Sequence, residues 1–134
     1  NSVFMDYWQH RDVNLRGNVG SKIEGIGRPR VEPSFIPDVV DNMLRVPDAA
    51  SVATAQWLET QLGRKVGAST GTNMWGALQL AAQMRDEGKT GSIVTLLCDS
   101  GERYLDTYYN PEWVANNIGD TAPWRQAINA LVEK

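Results

Sequence analysis

The sequence has few of the residues on which several common kinds of site depend. It contains one cysteine, Cys98, and one histidine, His10. A single cysteine excludes an internal disulfide framework and favours a reducing compartment, so we expect a cytoplasmic protein. A single histidine leaves little for a His-dependent triad or a multi-histidine metal site, and we expect no bound metal.

Charge of one sign and long apolar runs are also scarce. The net charge is −3, which argues against a nucleic-acid partner, because phosphate neutralisation requires clustered Lys and Arg. No apolar run approaches the roughly 18 residues of a membrane span, so no membrane partner is expected. What remains is 134 residues with 42% hydrophobic and 22% charged content, the composition of one globular domain.

The first residues, 1–8, are apolar and aromatic and contain no initiator Met. Natural N-termini are usually more polar than this. We therefore expect the chain to be a piece of a longer protein. Residues 3–8 read as a strand end or a buried loop, and the sequence does not choose between them.

Hydrophobic periodicity predicts helices and strands in alternation. The predicted strands are 43–46, 65–69 and 92–98, the last with Cys98 as a small core residue, and one helical turn is expected within 36–43. The predicted helices are 48–62 with Asp48 as N-cap and Gly63 as stop, 74–84, 111–117 and 123–132.

This order predicts an α/β fold, an open and mostly parallel sheet with flanking helices. We expect a single α/β unit over 1–134, with 108–134 as a C-terminal helical extension. In such sheets ligands gather at the carboxyl ends of the strands, where Ser69 and Asp99 are both expected.

The segment 67–73, Gly-Ala-Ser-Thr-Gly-Thr-Asn, is the most informative motif. Its small residues would let a backbone come close to a ligand. The hydroxyls of Ser69, Thr70 and Thr72, with the N–H groups of a helix start, suit a phosphate or a ring heteroatom. A simpler alternative is that Ser69 and Thr70 only cap the helix from Met74.

Three blocks, taken together, resemble a known family. They are 23–27 (Ile-Glu-Gly-Ile-Gly, followed by Phe-Ile-Pro at 35–37), 66–71 (Val-Gly-Ala-Ser-Thr-Gly) and 94–104, which ends in Asp-Ser-Gly-Glu-Arg-Tyr. In this order and spacing they resemble the C-terminal portion of the fold-type II pyridoxal-phosphate enzymes, the cysteine synthase and cystathionine β-synthase family. The implied fold is that of the tryptophan synthase β-like enzymes. The link at 28–34 is longer than in the family.

The resemblance implies roles for individual residues. Ser69 would hydrogen-bond the pyridine nitrogen, and a neutral hydroxyl there suits β-elimination and β-replacement on an amino acid. Thr70, Asp99 and Ser100 would lie at the cofactor, and the substrate side would be lined by Gly25, Ile26 and Gly27.

The resemblance also implies a parent enzyme of cysteine metabolism that uses pyridoxal phosphate and a small amino-acid substrate, cysteine or an O-activated serine. None of the four lysines, Lys22, Lys65, Lys89 and Lys134, has the context of the family's Schiff-base lysine. No catalytic residue is therefore expected in this chain, which would be inactive without the N-terminal part of the enzyme. A homodimer is expected.

Alternatives remain open at this point. The parent activity is cysteine synthase-like, a transferase, or cysteine desulfhydrase, a lyase. The chain is otherwise a stand-alone small-ligand or phosphate-binding module without catalysis, or an interaction remnant that pairs with a full-length homologue.

Overall fold

The computed structural model describes residues 2–18 and 20–133. Asn1, Val19 and Lys134, which belong to the predicted 1–134 unit, lie outside the described residues. The helices are α1 (Phe4–His10), α2 (Asp48–Leu62), α3 (Ala68–Asp86), α4 (Pro111–Asn117) and α5 (Ala122–Val132), with 3₁₀ turns at Pro37–Val39 and Gly101–Tyr104.

Four of the predicted helical segments are confirmed. Helix α2 ends at Leu62, followed by Gly63 in a left-handed conformation that caps it. Helix α4 has the predicted bounds, and Asn110 caps it by accepting hydrogen bonds from two main-chain N–H groups. Helix α5 begins one residue before the predicted start, and the turn at Pro37–Val39 matches the turn expected within 36–43.

Helix α1 replaces the strand end or loop expected at residues 3–8, so that prediction is wrong. Its aromatic side chains read as strand-like, but they pack on a distant segment: Phe4 stacks on Phe35 with ring centroids 4.4 Å apart. Arg45 is paired with Asp6 across the same surface. Tertiary packing overrides the local preference here.

Helix α3 begins at Ala68, six residues before the predicted start at Met74. The motif at 67–73 is thus the start of the helix, with Gly67 as the N-cap and 68–73 as its first six residues. Thr72 explains part of this, because its hydroxyl donates to the Ala68 carbonyl (3.2 Å) and shares a 2.7 Å hydrogen bond with Ser51 of α2. The Thr72 hydroxyl thus has its hydrogen-bond partners within the α2–α3 pair.

The predicted open sheet is not confirmed within the described residues. They contain two isolated antiparallel bridges, Arg16–Arg30 and Val66–Ser100, and the strands predicted at 43–46, 65–69 and 92–98 do not form. In the last of these, Val94 is 93% and Leu96 73% exposed. A strand requires a neighbouring strand as hydrogen-bond partner, and none lies beside these residues in the described part of the chain. Cys98, predicted to be a core residue, is exposed.

The core is formed by α2 packed against α3 and α5. Helix α2 is buried from Ala50 to Ala55. Next to Ala50 and Ala53, Trp75 of α3 meets Trp124 of α5 edge to face, with ring centroids 5.5 Å apart. A second cluster, the aromatic cluster, joins Ile23, Val52, Ala68, Tyr104, Tyr108 and Val114. Among the described residues, no helix is long and apolar enough to cross a bilayer.

Candidate functional site

The first two turns of α3 carry the three predicted ligand hydroxyls in different surroundings. Thr70 is 2% exposed, and its Oγ1 accepts a hydrogen bond from the Cys98 N–H at 2.9 Å. Thr72 is bonded to Ser51, as above. Ser69 is half-buried, and its hydroxyl makes no hydrogen bond within the described residues. Of the three, Ser69 is the one whose hydroxyl has no protein partner within the described residues and so keeps its full capacity for a ligand.

Helical spacing sets the direction in which Ser69 faces. Ser69, Thr72 and Asn73 share one face of α3, because residues three and four apart are neighbours on a helix. Thr72 borders a cleft, whereas Asn73 donates to the Leu96 carbonyl at 3.2 Å. Ser69 therefore lies between the cleft and the segment 96–98.

The glycines of the motif are required by the protein itself. A Cβ at Gly71 would lie 2.0 Å from the Ser51 carbonyl oxygen, where α2 and α3 cross. A Cβ at Gly67 would lie 2.0 Å from a carboxylate oxygen of Asp99. Protein atoms therefore require the small size of Gly67 and Gly71, and the approach of their main chain to a ligand stays a prediction.

Asp99 and Ser100 are joined to the start of α3 by main-chain bonds. The Asp99 carbonyl accepts from the Gly67 N–H at 2.9 Å, and Ser100 forms the isolated bridge with Val66. The Asp99 carboxylate accepts from the Tyr104 hydroxyl at 2.6 Å. This hydrogen bond, together with burial, raises the pKa of Tyr104 well above its ordinary range. Asp99 is thus a bonded structural neighbour of the α3 start.

The Ser100 side chain has a local structural role. Its hydroxyl accepts from the Glu102 N–H at 3.3 Å and caps the 3₁₀ turn at Gly101–Tyr104. A capping serine is a common reason for this residue type at the start of a helical turn.

The second predicted group, at 25–27, forms part of a cleft of about 620 Å³. Ile26 and Gly27 lie in its wall, opposite residues of α1 and the segment 43–49. Gly27 has φ +76°, and a Cβ there would lie 2.5 Å from the Ser21 Cβ. Gly25 is exposed and does not line the cleft, so the structure brings two of the three predicted substrate-side residues to it.

The predicted cofactor residues and the predicted substrate-side residues come together only in part. Thr72 borders the same cleft as Ile26 and Gly27, and Ile26 packs on the aromatic cluster that contains Ala68. Thr70, Asp99 and Ser100 do not line the cleft. Ser69 does not line it either, and the contacts of Thr70 and Asp99 join the start of α3 to the segment 98–100.

Sequence reasoning missed two residues that hold the substrate-side segment. Asp48 was expected to cap α2, but Pro47 is the cap residue, and the Asp48 carboxylate binds Ser21 and the Lys22 N–H. Tyr108 bonds the main chain at Lys22 and Glu24. Their partners lie more than twenty residues away in sequence, and no local pattern marks them. The described residues hold no cluster of three or more metal-ligating side chains.

Comparison with known proteins gives the chain its relatives. No family model matches it. It is 56% identical over 115 residues to L-cysteine desulfhydrase Cds1 of Mycobacterium tuberculosis, covering 86% of this chain and 31% of that protein. It is 33% identical over 114 residues to cysteine synthase 2 of Schizosaccharomyces pombe (84% and 28% covered). It is 39% identical over 133 residues to a putative pyridoxal-phosphate dependent protein of Caenorhabditis elegans (87% and 30% covered).

These relatives confirm the family resemblance. The chain belongs to the fold-type II pyridoxal-phosphate enzymes. Within that class its homologues are L-cysteine desulfhydrase and the cysteine synthases, and it matches their C-terminal portion. The chain spans about three tenths of the length of the curated relatives that it matches.

Proposed function

We propose that this chain forms the C-terminal portion of a pyridoxal-phosphate enzyme of cysteine metabolism, and that the whole protein is an L-cysteine desulfhydrase. The observation that carries the proposal is the 56% identity to a relative of that name, against 33% for cysteine synthase 2 of S. pombe. The reaction is a β-elimination in which cysteine and water yield pyruvate, ammonia and sulfide. The portion of the enzyme that precedes this chain would supply the lysine that carries the cofactor.

The donor set at the start of α3 fits the cofactor. Ser69 is half-buried, has no partner within the described residues and stands in the first turn of a helix, where main-chain N–H groups also point outward. A neutral hydroxyl accepts from or donates to a ring nitrogen without holding it protonated. Pyridoxal phosphate, when bound, supplies the electron sink for loss of the β-substituent.

Each of the remaining predicted residues has a part in this proposal. Ser69 orients the pyridine ring, whereas Thr70 fixes the segment at Cys98 beside it through the 2.9 Å hydrogen bond. Asp99 and Ser100 lie at the ring end of the site and hold the start of α3 in place. Gly25, Ile26 and Gly27 face the amino-acid substrate.

We also propose that 92–98 is a strand of an open, mostly parallel sheet in the whole protein. The support is its run of β-branched and leucine residues together with the exposure of Val94 and Leu96. The strands beside it would come from the rest of the enzyme. A homodimer and a cytoplasmic location are part of the same proposal, the latter supported by the single cysteine.

The test begins with the protein as its source cell makes it. Its intact mass is measured first, and the purified protein is then given L-cysteine, or O-acetyl-L-serine with sulfide. We expect a mass of about three times that of this chain, from the covered share of the relatives. We expect sulfide, pyruvate and ammonia from cysteine in equal amounts.

Other results would favour the alternatives. Net formation of cysteine from O-acetyl-L-serine and sulfide would replace the desulfhydrase with a cysteine synthase, the name of several relatives. A protein of this chain's length that binds pyridoxal phosphate without turnover would instead be a binding module.

The cofactor role of Ser69 has its own test. Ser69→Ala is compared with Ser34→Ala, a variant of an exposed serine outside the site. Removing one hydrogen bond to the ring should weaken cofactor binding about five- to tenfold and shift the visible absorbance of the bound cofactor. Equal affinity and equal spectra in the two variants would refute the contact.

A further inference from the structure

The main chain at 21–24 is held on one side by Asp48, the first residue of α2. One carboxylate oxygen of Asp48 accepts from the Ser21 hydroxyl at 2.7 Å, and the other accepts from the Lys22 N–H at 2.6 Å. The Ser21 hydroxyl in turn accepts from the Ile23 N–H at 3.0 Å. Asp48 borders the cleft, but both of its oxygens are engaged by this segment. It is therefore poorly suited to bind the ammonium group of a substrate.

The same segment is held on the other side by Tyr108. Its hydroxyl donates to the Lys22 carbonyl at 2.9 Å and accepts from the Glu24 N–H at 2.9 Å. The residue is 2% exposed, and its ring packs against Tyr104 and Trp113. Burial raises the pKa of Tyr108, so the hydroxyl keeps the proton that it donates.

The residues that follow, 25–27, have no such support. No hydrogen bond to their main-chain groups is formed within the described residues. Ile26 packs on the aromatic cluster, and Gly27 fits closely against Ser21. The position of 25–27 thus depends on the fixed segment just before it, and the main-chain groups of Ile26 and Gly27, which line the cleft, stay available to a ligand.

We propose that Asp48 and Tyr108 are positioning residues that hold the Ile26–Gly27 wall of the cleft and so set the affinity for the amino-acid substrate. The identity of that substrate rests on the proposed function. Neither residue touches the reacting atoms. Each acts through the main chain at Lys22, which donates its N–H to Asp48 and accepts at its carbonyl from Tyr108.

The chain offers a matched control in the neighbouring residue. The hydroxyl of Tyr109 also bridges two main-chain groups, donating to the Val66 carbonyl at 2.7 Å and accepting from the Val66 N–H at 3.0 Å. Tyr108→Phe and Tyr109→Phe therefore remove the same kind of contact at different places. We expect both to lower the melting temperature and only Tyr108→Phe to raise the KM for L-cysteine.

The experiment uses the protein as its source cell makes it, with cofactor bound. Tyr108→Phe should raise KM about three- to tenfold with kcat within about twofold of wild type and the cofactor absorbance unchanged. Asp48→Asn should act in the same direction. It replaces one carboxylate oxygen, which now accepts a hydrogen bond from Ser21 or Lys22, by an amide N–H₂ group that cannot accept one. An unchanged KM in both variants would overturn the positioning role.

Amide hydrogen exchange separates this inference from the proposed function. Tyr108→Phe should speed exchange at Ile23 and Glu24 about tenfold relative to Tyr109→Phe, whichever substrate the protein uses. If cysteine is not turned over but this exchange rises, the proposed function fails and the hold on the segment stands. If exchange at these amides is the same in both variants, the inference fails.

Discussion

The crossing of α2 and α3 makes Gly71 a position at which one added methyl group should destabilise the protein strongly. A methyl group at Gly71 would lie 2.0 Å from the Ser51 carbonyl oxygen and 2.8 Å from the Ala55 nitrogen. Ordinary contact begins near 3.4 Å, so the helices would have to separate by about 1.4 Å. Both neighbours are main-chain atoms of a buried helix and have no rotamer with which to yield.

The expected loss can be worked from these contacts. Overpacking of this kind costs about 1–3 kcal/mol, and backbone neighbours put Gly71→Ala at the upper end. Replacing a helical glycine by alanine returns about 1 kcal/mol of helix propensity. We therefore expect Gly71→Ala to lower the free energy of unfolding by about 2 kcal/mol.

The assay is urea unfolding followed by circular dichroism, with Gly76→Ala as the control. Gly76 lies in the same helix, and the nearest atom to its Cβ position is the Leu44 Cδ1 at 3.9 Å. With the propensity gain and no clash, Gly76→Ala should be up to about 1 kcal/mol more stable than wild type. The reasoning is refuted if Gly71→Ala is as stable as wild type.

Two other changes test the walls of the site. Gly27→Ala should destabilise the protein by about 2–4 kcal/mol, because it adds a clash with Ser21 to the strain of a left-handed backbone. Gly25→Ala should cost only the strain, about 1–2 kcal/mol, and thermal melts of the two variants compare these losses. Tyr104→Phe should lower stability by about 1–2 kcal/mol near neutral pH, because it removes the hydroxyl that binds Asp99. The folded-state pKa of Tyr104 is raised above its ordinary value of 10.0, so its contribution to stability is present below about pH 10 and is lost as the pH rises further. Above about pH 10 the free energy of unfolding of Tyr104→Phe should therefore fall less steeply with pH than that of wild type.

The sequence predicted those elements whose determinants are local. Helix α4 followed from Pro111 at its first position, and the end of α2 followed from Gly63. Both signals act within one turn of the chain. The start of α3 was misplaced, because Gly71 and Thr72 make their contacts with α2, and the sequence does not show those partners.

The remaining differences have a common physical cause, which is dependence on distant partners. Helix α1 is held by the stacking of Phe4 on Phe35, thirty-one residues away in sequence. The apolar run at 92–98 has strand composition but no neighbouring strand among the described residues. The sequence identified the motif at 67–73. It could not show that, of the three hydroxyls in the motif, Ser69 alone lacks a protein partner within the described residues.

The adjacent tyrosines have a consequence for anyone who redesigns this enzyme family. Tyr108 fixes the main chain at Lys22 and Glu24, and Tyr109 fixes it at Val66, which leads into the helix that carries Ser69. The two tyrosines are joined by one planar peptide unit, so a single stretch of chain positions both the segment at 22–24 and Val66. A chimera that takes 21–27 from a relative with another substrate would also need that relative's residues at 104–109. Otherwise the grafted segment would lack the hydrogen-bond partners that hold it in its own protein.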